Sequence, residues 1–510
     1  MSSETNANRW RVLVVLCIAV LIVVIDNTIV NVALPSLSKD LHASNSALQW
    51  IVDGYALPFA GLLLAGGGLA DRIGRKRVIM AGLFFFAVFS TMAAFSTSTS
   101  SLLTARALMG AAAAFIFPAT LATLTVVFTD ADERAKAFGA WGATSGLAIA
   151  LGPIAGGELI THFWFGSIFL VNVPLVLIAI IAIYLFVPES KSPEQRRLDL
   201  VGLFLGTSGT TALVLAVIQG PSWGWLSAAT LALFVGSALL LGAFVLYESR
   251  RDGPMLDVRV FTNRAFSAGA LSIAINFFCL FGFIFLVTQF FQLVLGFSAL
   301  SAGVRTLPFA IVVGVLTPIS AIVSIKFGSR IVVAAGLLIT AIAMLWMNLI
   351  TATSSYFGPI IGSMIVMAIG FSLVNAPSTA VVMETLTPAQ VGAGSAVNET
   401  TREIGGTLGV AVVGSVFSSI FGPDIRKILL PFHAHGLSLH NINIAQSSMQ
   451  ASKIVVGHFP AALQPHLNTA INGAFVSGFH KGCLVIAGVA LVMAGLSLRY
   501  LPAHKGKNGH

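Results

Sequence analysis

Gly68-Leu69-Ala70-Asp71-Arg72-Ile73-Gly74-Arg75-Lys76-Arg77 sets five charged side chains within seven residues, between two long apolar runs. That density stands out in this chain. Of its 510 residues only 9% are Asp, Glu, Lys or Arg, and 56% are hydrophobic. Soluble domains carry about 25% charged residues, and they need them to cover their surface. A soluble enzyme, a nucleic-acid binder and a disordered scaffold are thereby excluded. The quoted stretch reads as a short loop joining two membrane spans.

Working outward, a membrane helix needs roughly 20 apolar residues. Runs at 11–33, 48–70, 77–96, 102–128, 137–160, 166–187, 198–218, 226–247, 265–292, 301–324, 330–351, 357–383, 394–420 and 480–501 predict an all-α polytopic membrane protein of fourteen spans. They are too long for barrel strands and do not alternate. The first run is too long for a signal peptide and lacks a small-residue cleavage site, so it reads as a retained span. With the N-terminus inside, most of the 28 Lys and Arg fall on the cytoplasmic side, Arg9, Arg72, Arg75, Lys76, Arg77, Arg250, Arg251 and Arg402 among them. Only Lys39, Arg426, Lys427, Lys453 and Lys481 fall in outside loops. This bias predicts both termini in the cytoplasm of a cell membrane, and it accounts for the net charge of +9 without nucleic acid. Cys17, Cys279 and Cys483 lie inside apolar runs, with no disulfide or metal spacing.

Two connections are long. Residues 188–199 (PESKSPEQRRLD) form a charged linker after six spans, and 421–480 form an extracytoplasmic segment. The expected organisation is an N-terminal six-helix bundle (1–187), the linker with two central extra helices (188–264), and a C-terminal six-helix bundle carrying the 421–480 segment (265–510). Apolar stretches near 445–458 and 467–479 read as short surface helices or a hairpin dipping into the membrane. The same segment holds His433, His435, His440, His458, His466 and His480. Their spacing lacks a zinc-like pairing, so a solvated loop and no metal are expected. A weak repeat is visible: Pro118, Glu133 and a glycine-rich stretch at 139–157 correspond to Pro377, Gln390 and a second such stretch at 392–409. Repeated halves place a substrate site between them, near mid-membrane.

Inside the spans, charge marks function. A carboxylate in an apolar helix is costly and faces a bundle interior, a pathway or a proton relay. At about 1.5 Å per residue, Asp26 falls roughly 12 Å, and Asp53 and Arg106 about 7 Å, from the outer ends of their spans. A coupled Asp26–Asp53–Arg106 group for proton movement is expected. The competing readings are a structural backbone hydrogen bond for Asp26, an interfacial charge for Asp53 and a snorkelling side chain for Arg106. Asp71, near the start of the third span, suits that helix's dipole, and the loop can serve as a charged latch. Pro153 kinks the fifth span, while Gly146, Gly152, Gly156 and Gly157 let neighbours approach closely. Asn31, Gln289, Gln292 and Asn375 are candidate cavity residues, with helix–helix hydrogen bonds as the plainer alternative. Glu399, Arg402 and Glu403, at i,i+3 and i,i+4, read as a local charged network near the inner ends of spans 12 and 13.

The spacing of the opening stretch resembles the signature loop of the major facilitator superfamily. Ile25-Asp26-Asn27-Thr28-Ile29-Val30-Asn31-Val32-Ala33-Leu34-Pro35 is similar to the first-span motif of its fourteen-span drug–proton antiporters, the EmrB/QacA type. Trp50-Ile-Val-Asp53-Gly-Tyr55, Arg106-Ala-Leu-Met-Gly110, the Gly146–Gly157 set with Pro153, Phe169-Leu-Val-Asn172-Val-Pro174, Gln289 with Gly296, and 398–409 fit as well. The likeness covers nearly the whole chain. It implies the major facilitator fold, a cytoplasmic gate at Gly68, Asp71, Arg72, Gly74 and Arg75, and an antiporter helix at span 5. The chain departs from the pattern where a second-half copy of the loop reads Ser324-Ile-Lys326-Phe-Gly328-Ser-Arg330, with Ser324 in place of the acid.

The expected activity is proton-coupled antiport that exports amphipathic, cationic drugs (multidrug efflux), with no cofactor and no enzymatic chemistry. The alternative is a dedicated exporter of one metabolite, lipid or siderophore. A membrane enzyme or receptor has no catalytic dyad, nucleotide loop or soluble domain to support it. Expected partners are a small-molecule substrate, protons and the lipid bilayer. A monomer is expected, with an accessory export subunit possible in principle.

Overall fold

Apolar runs of this length leave backbone amides no water to bond, and helix is the form that satisfies them. The computed structural model describes residues 3–41, 45–191, 199–251, 254, 256–387, 390–435 and 437–503. In chain order its helices are α1 Ser3–Asp40, α2 Asn45–Ile73, α3 Arg75–Ala94, α4 Thr99–Val127, α5 Ala131–His162, α6 Ser167–Leu170 and α7 Asn172–Phe186. There follow α8 Leu200–Trp223, α9 Ala228–Ser249, α10 Arg264–Gln289, α11 Ala299–Phe327, α12 Ser329–Met347, α13 Ile361–Glu384 and α14 Val391–Leu429. The last are α15 Leu439–Ser447, α16 Met449–Gly457 and α17 Gln464–Tyr500. Taking α6 and α7 together, fourteen spans among the described residues are long and apolar enough to cross a membrane.

Polar residues set many of the boundaries. Ser98, Asp130, Asp199, Ser227, Asn263 and Ser298 each accept a hydrogen bond from a backbone N–H in the first turn that follows, which satisfies an amide that the helix cannot. Two six-helix bundles result. The first holds α1–α5 with α6–α7; the second holds α10–α14 with α17. They meet where α5 lies along α11 and α2 along α14. The extra pair, central in sequence, is peripheral in space. Its α8 rests on α2 and α14, while α9 packs chiefly on α8.

The 421–480 segment is more helical than its composition suggests. α14 continues to Leu429 and α17 begins at Gln464, so residues 467–479 form the first turns of the last span. Aromatic packing holds this less apolar stretch in place. Phe475 meets Phe417 at 5.0 Å and Phe479 meets Phe290 at 5.4 Å between ring centroids. Between the two spans α15 and α16 form a short hairpin. Lys453 anchors it by donating to the Leu293 carbonyl, and burial lowers the pKa of its amine. His433, His458 and His480 point a ring nitrogen at a backbone carbonyl. His435 lies among the residues whose side chains are not described. Among the described residues no three His, Cys, Asp or Glu side chains cluster as metal ligands.

The opening loop turns at Gly74, whose φ is +116°. A Cβ there would stand 2.5 Å from the Glu189 carboxylate. Backbone of this kind costs a residue with a side chain about 1–3 kcal/mol. Gly74→Ala is expected to lower the melting temperature of the detergent-purified protein. Gly236→Ala, where a Cβ meets nothing within 4 Å, is the control and should leave it unchanged.

Candidate functional site

Asp26 on α1 and Arg106 on α4 are both 0% exposed and form an ion pair of 2.7 Å. A charge buried this deeply persists only when paired and hydrogen-bonded, and the surroundings supply those bonds. Asn172, at the start of α7, donates to the other Asp26 oxygen at 2.7 Å and to Ser90 at 3.0 Å. Arg106 Nε donates to the Ile51 carbonyl on α2 at 3.2 Å, and its guanidinium lies 4.3 Å above the Tyr55 ring. Asp26 and Arg106 thus meet as expected from their depths, with Asn172 as the third member. Asp53 is half-buried on α2, two residues beyond Ile51. Asn172 stood in a motif, but nothing in the sequence singled out its amide as a partner of Asp26.

An aromatic series leads away from this pair. Tyr55 stacks with Phe59 at 6.0 Å, Phe59 meets Phe117 edge-on at 5.7 Å, and Phe117 meets Trp141 edge-on at 5.9 Å. Against Trp141 lies the guanidinium of Arg402 at 4.7 Å, with Phe277 on another side at 5.0 Å. Arg402 also donates to Asn375 at 3.3 Å and Thr379 at 3.1 Å, and pairs with Glu399 at 3.5 Å. Its place near the inner end of the thirteenth span predicts a local charged network at the cytoplasmic edge for Arg402. In the structure it is buried, about 16 Å along α14 at 1.5 Å per residue, between side chains of both bundles. The apolar flanks of α14 concealed this, because one arginine near a span's end counts toward topology as readily as toward the interior.

The other cavity candidates separate. Asn375 is buried and belongs to the Arg402 group. Asn31 donates to its own helix at Thr28, and Gln289 does so at Phe285. Gln292 is exposed in the π turn that ends α10.

The glycines of α5 set the bundle junction. A Cβ at Gly152 would come within 1.9 Å of Thr28 Oγ1, and one at Gly156 within 2.7 Å of Ile29. On the α11 side, Gly146 would meet Val313 at 2.3 Å and Gly157 would meet Leu300 at 3.2 Å. Pro153 in turn crowds Gly303. One helix therefore touches its own bundle and the opposite bundle along its length, which larger side chains would prevent.

At the basic end the opening loop crosses the junction. Asp71 holds Arg75 at 2.6 Å and sets its carboxylate toward the backbone amides of Gly392 and Ala393. These are the first turn of α14, where unpaired amides and the helix dipole favour an anion. The expected dipole partner was the adjacent third span; the observed one is the thirteenth, in the other bundle. Sequence proximity suggested the first, and only the fold brings up the second. Gly67 against the Gly392 carbonyl and Ser395 donating to the Pro118 carbonyl at 2.9 Å tighten the same contact. Gly68 is half-buried and Arg72 exposed. In the second half Ser324 donates to Ala321 on its own helix at 2.8 Å, so the latch is one-sided.

Two helical bundles meeting over buried charges, with a latch at one end, define a polytopic membrane transporter and not an enzyme. The chain belongs to the Major Facilitator Superfamily, whose family model matches residues 16–410. It is 34% identical over 497 residues to the multidrug efflux pump LfrA of Mycolicibacterium smegmatis, covering 97% of each chain. It is 33% identical over 500 residues to the methyl viologen resistance protein SmvA of Salmonella typhimurium, covering 96% of this chain and 97% of that protein. The crystal structure of the human organic anion transporter MFSD10 shares the fold, with a TM-score of 0.61 at 16% identity, over 96% of this chain and 99% of that one.

Proposed function

We propose that this protein is a proton-coupled antiporter that exports amphipathic cationic compounds across the cytoplasmic membrane, with its basic end in the cytoplasm. The observation that carries this reading is the fully buried Asp26–Arg106 pair. An acid at that depth binds or releases a proton only when its surroundings rearrange, so its charge is tied to the state of the bundles. The names of the relatives support export of toxic compounds, and methyl viologen is a dication. Asp26, Asp53 and Arg106 are assigned to proton coupling. The protein transports as a single chain in this reading. In proteoliposomes, an inward-directed pH gradient should drive cation export and cation addition should move protons, without nucleotide. If Asp26→Asn and Asp53→Asn both leave gradient-driven transport intact, the coupling assignment is wrong.

The Asp71 latch, with Gly68, Arg72, Gly74 and Arg75 around its turn, acts as the cytoplasmic gate. Asp71→Ala removes the carboxylate that faces the first amides of α14, a charge–dipole contact of about 0.3–1 kcal/mol, and should favour opening at that end. A cysteine placed at Ala396, beneath the contact, is expected to label faster from the cytoplasmic side in the Asp71→Ala background. Equal rates would remove the gate from the mechanism.

A further inference from the structure

The last turn of α9 changes character where its apolar run stops. Val245 and Leu246 are exposed although they belong to a span, so lipid covers them. One turn on, Leu246, Tyr247, Arg250 and Arg251 line an open cleft of about 420 Å³, apolar within the span and basic just beyond it. Arg251 lies against the Tyr247 ring at 5.6 Å, donates to its hydroxyl and pairs with Asp199 at 2.8 Å. Arg250 is exposed and makes no ion pair with a described residue. Arg259, on the short turn that follows, donates to the Ser249 carbonyl at 3.4 Å. A third guanidinium thus stands at this helix end, and it covers a carbonyl whose partial charge would repel an anion. The nearby acids do not face the cleft's mouth. Asp199 and Glu248 are 5% and 1% exposed, and Asp257 accepts from Gln390 at 3.3 Å.

We propose that this cleft binds the head group of an anionic phospholipid such as phosphatidylglycerol, its phosphate at Arg250 and Arg259 and its acyl chains along Leu246 and the exposed face of α9. Guanidinium groups suit a phosphate because their fork of donors matches its oxygens. The position selects a lipid over a soluble phosphate: basic pockets at the end of a span meet lipid head groups, and the apolar lip at Val245 and Leu246 serves only a ligand with chains. The charge selects among lipids. Zwitterionic heads bring an ammonium group, and the cleft offers it no exposed carboxylate. The lipid comes from the leaflet on the latch side. The Asp257–Gln390 bond ties the turn beyond α9 to the residue two positions before Gly392, which Asp71 faces.

The test is native mass spectrometry of the delipidated, detergent-purified full chain. It is titrated with phosphatidylglycerol, phosphatidylcholine and phosphatidylethanolamine of the same acyl chains. The first phosphatidylglycerol is expected to bind about tenfold more tightly than either zwitterionic lipid. Arg250→Gln should weaken it about fivefold, and adding Arg259→Gln should remove the preference. Arg250→Lys keeps the charge and should retain most of the preference, which separates loss of the site from loss of the fold. Lys326→Gln, an equal change of charge at the exposed end of α11, should leave the preference unchanged. Equal affinity for the three lipids, a preference intact in the Arg250→Gln, Arg259→Gln double variant, or an equal loss in Lys326→Gln would each overturn the proposal. Displacement of phosphatidylglycerol by equimolar glycerol 1-phosphate would overturn it too, because the occupant would then be a soluble phosphate.

Discussion

Arg106→Ala is expected to destabilise the protein by about 3–5 kcal/mol, the cost of leaving a buried charge without its partner, and to abolish transport. Asp26 would then sit fully enclosed with only Asn172 as a polar neighbour among its observed side-chain partners. Asp26→Ala should be nearly as costly, because Arg106 would keep only the Ile51 carbonyl and the Tyr55 face. The double variant removes both charges and should recover much of the lost stability, since an apolar replacement for a buried pair is often tolerated. It should not recover transport. Thermal melting in detergent and pH-gradient-driven efflux from proteoliposomes measure the two effects separately. A double variant that melts near the wild type yet transports nothing identifies the pair as functional. One that transports normally reduces it to a structural pair.

The second large effect is at Gly152. An alanine there would place its Cβ 1.9 Å from Thr28 Oγ1, 2.9 Å from Thr28 Cβ and 3.1 Å from the Ile29 backbone nitrogen. Overpacking of this kind costs about 1–3 kcal/mol, and here it also forces α5 off α1 while α11 confines its opposite side. Gly152→Ala should therefore abolish export, read as loss of resistance to a toxic cation in cells that make the protein at normal levels. Thr28 bonds only backbone carbonyls, so its side chain is dispensable for partners. Combining Gly152→Ala with Thr28→Gly moves the glycine to the facing helix and should restore export. Failure of the exchange would mean that Gly152 acts through backbone conformation and not through space.

Hydropathy made the spans legible, because each must satisfy its amides within itself and so must be long and apolar. It misplaced α17, whose early turns are held by Phe475 and Phe479 against α10 and α14 and not by unbroken apolarity. Asp26 and Arg106 were visible because a charge among apolar neighbours needs a reason. Asn172 was hidden because an amide in a helix has many ordinary uses, and Arg402 because its position along the chain allowed it to count as a loop cation. The partner of Asp71 was hidden for a topological reason: residues 71 and 392 are neighbours only after two bundles have formed.

The inserted pair α8–α9 has a consequence for where compounds reach the protein. Thr211 of α8 fits against Gly61 of α2, and Trp225 just beyond α8 donates to Ser415 of α14 at 2.8 Å. The two helices thus stand as a fence along the α2–α14 flank, spanning both bundles, while the opposite flank is shut by the small residues of α5 against α11. On that flank, a greasy cation dissolved in the lipid leaflets meets α9 before it meets either bundle. The insertion turns one side of the transporter from a doorway into a wall, and directs membrane-borne cargo toward the flank that α5 controls or the open water at the ends.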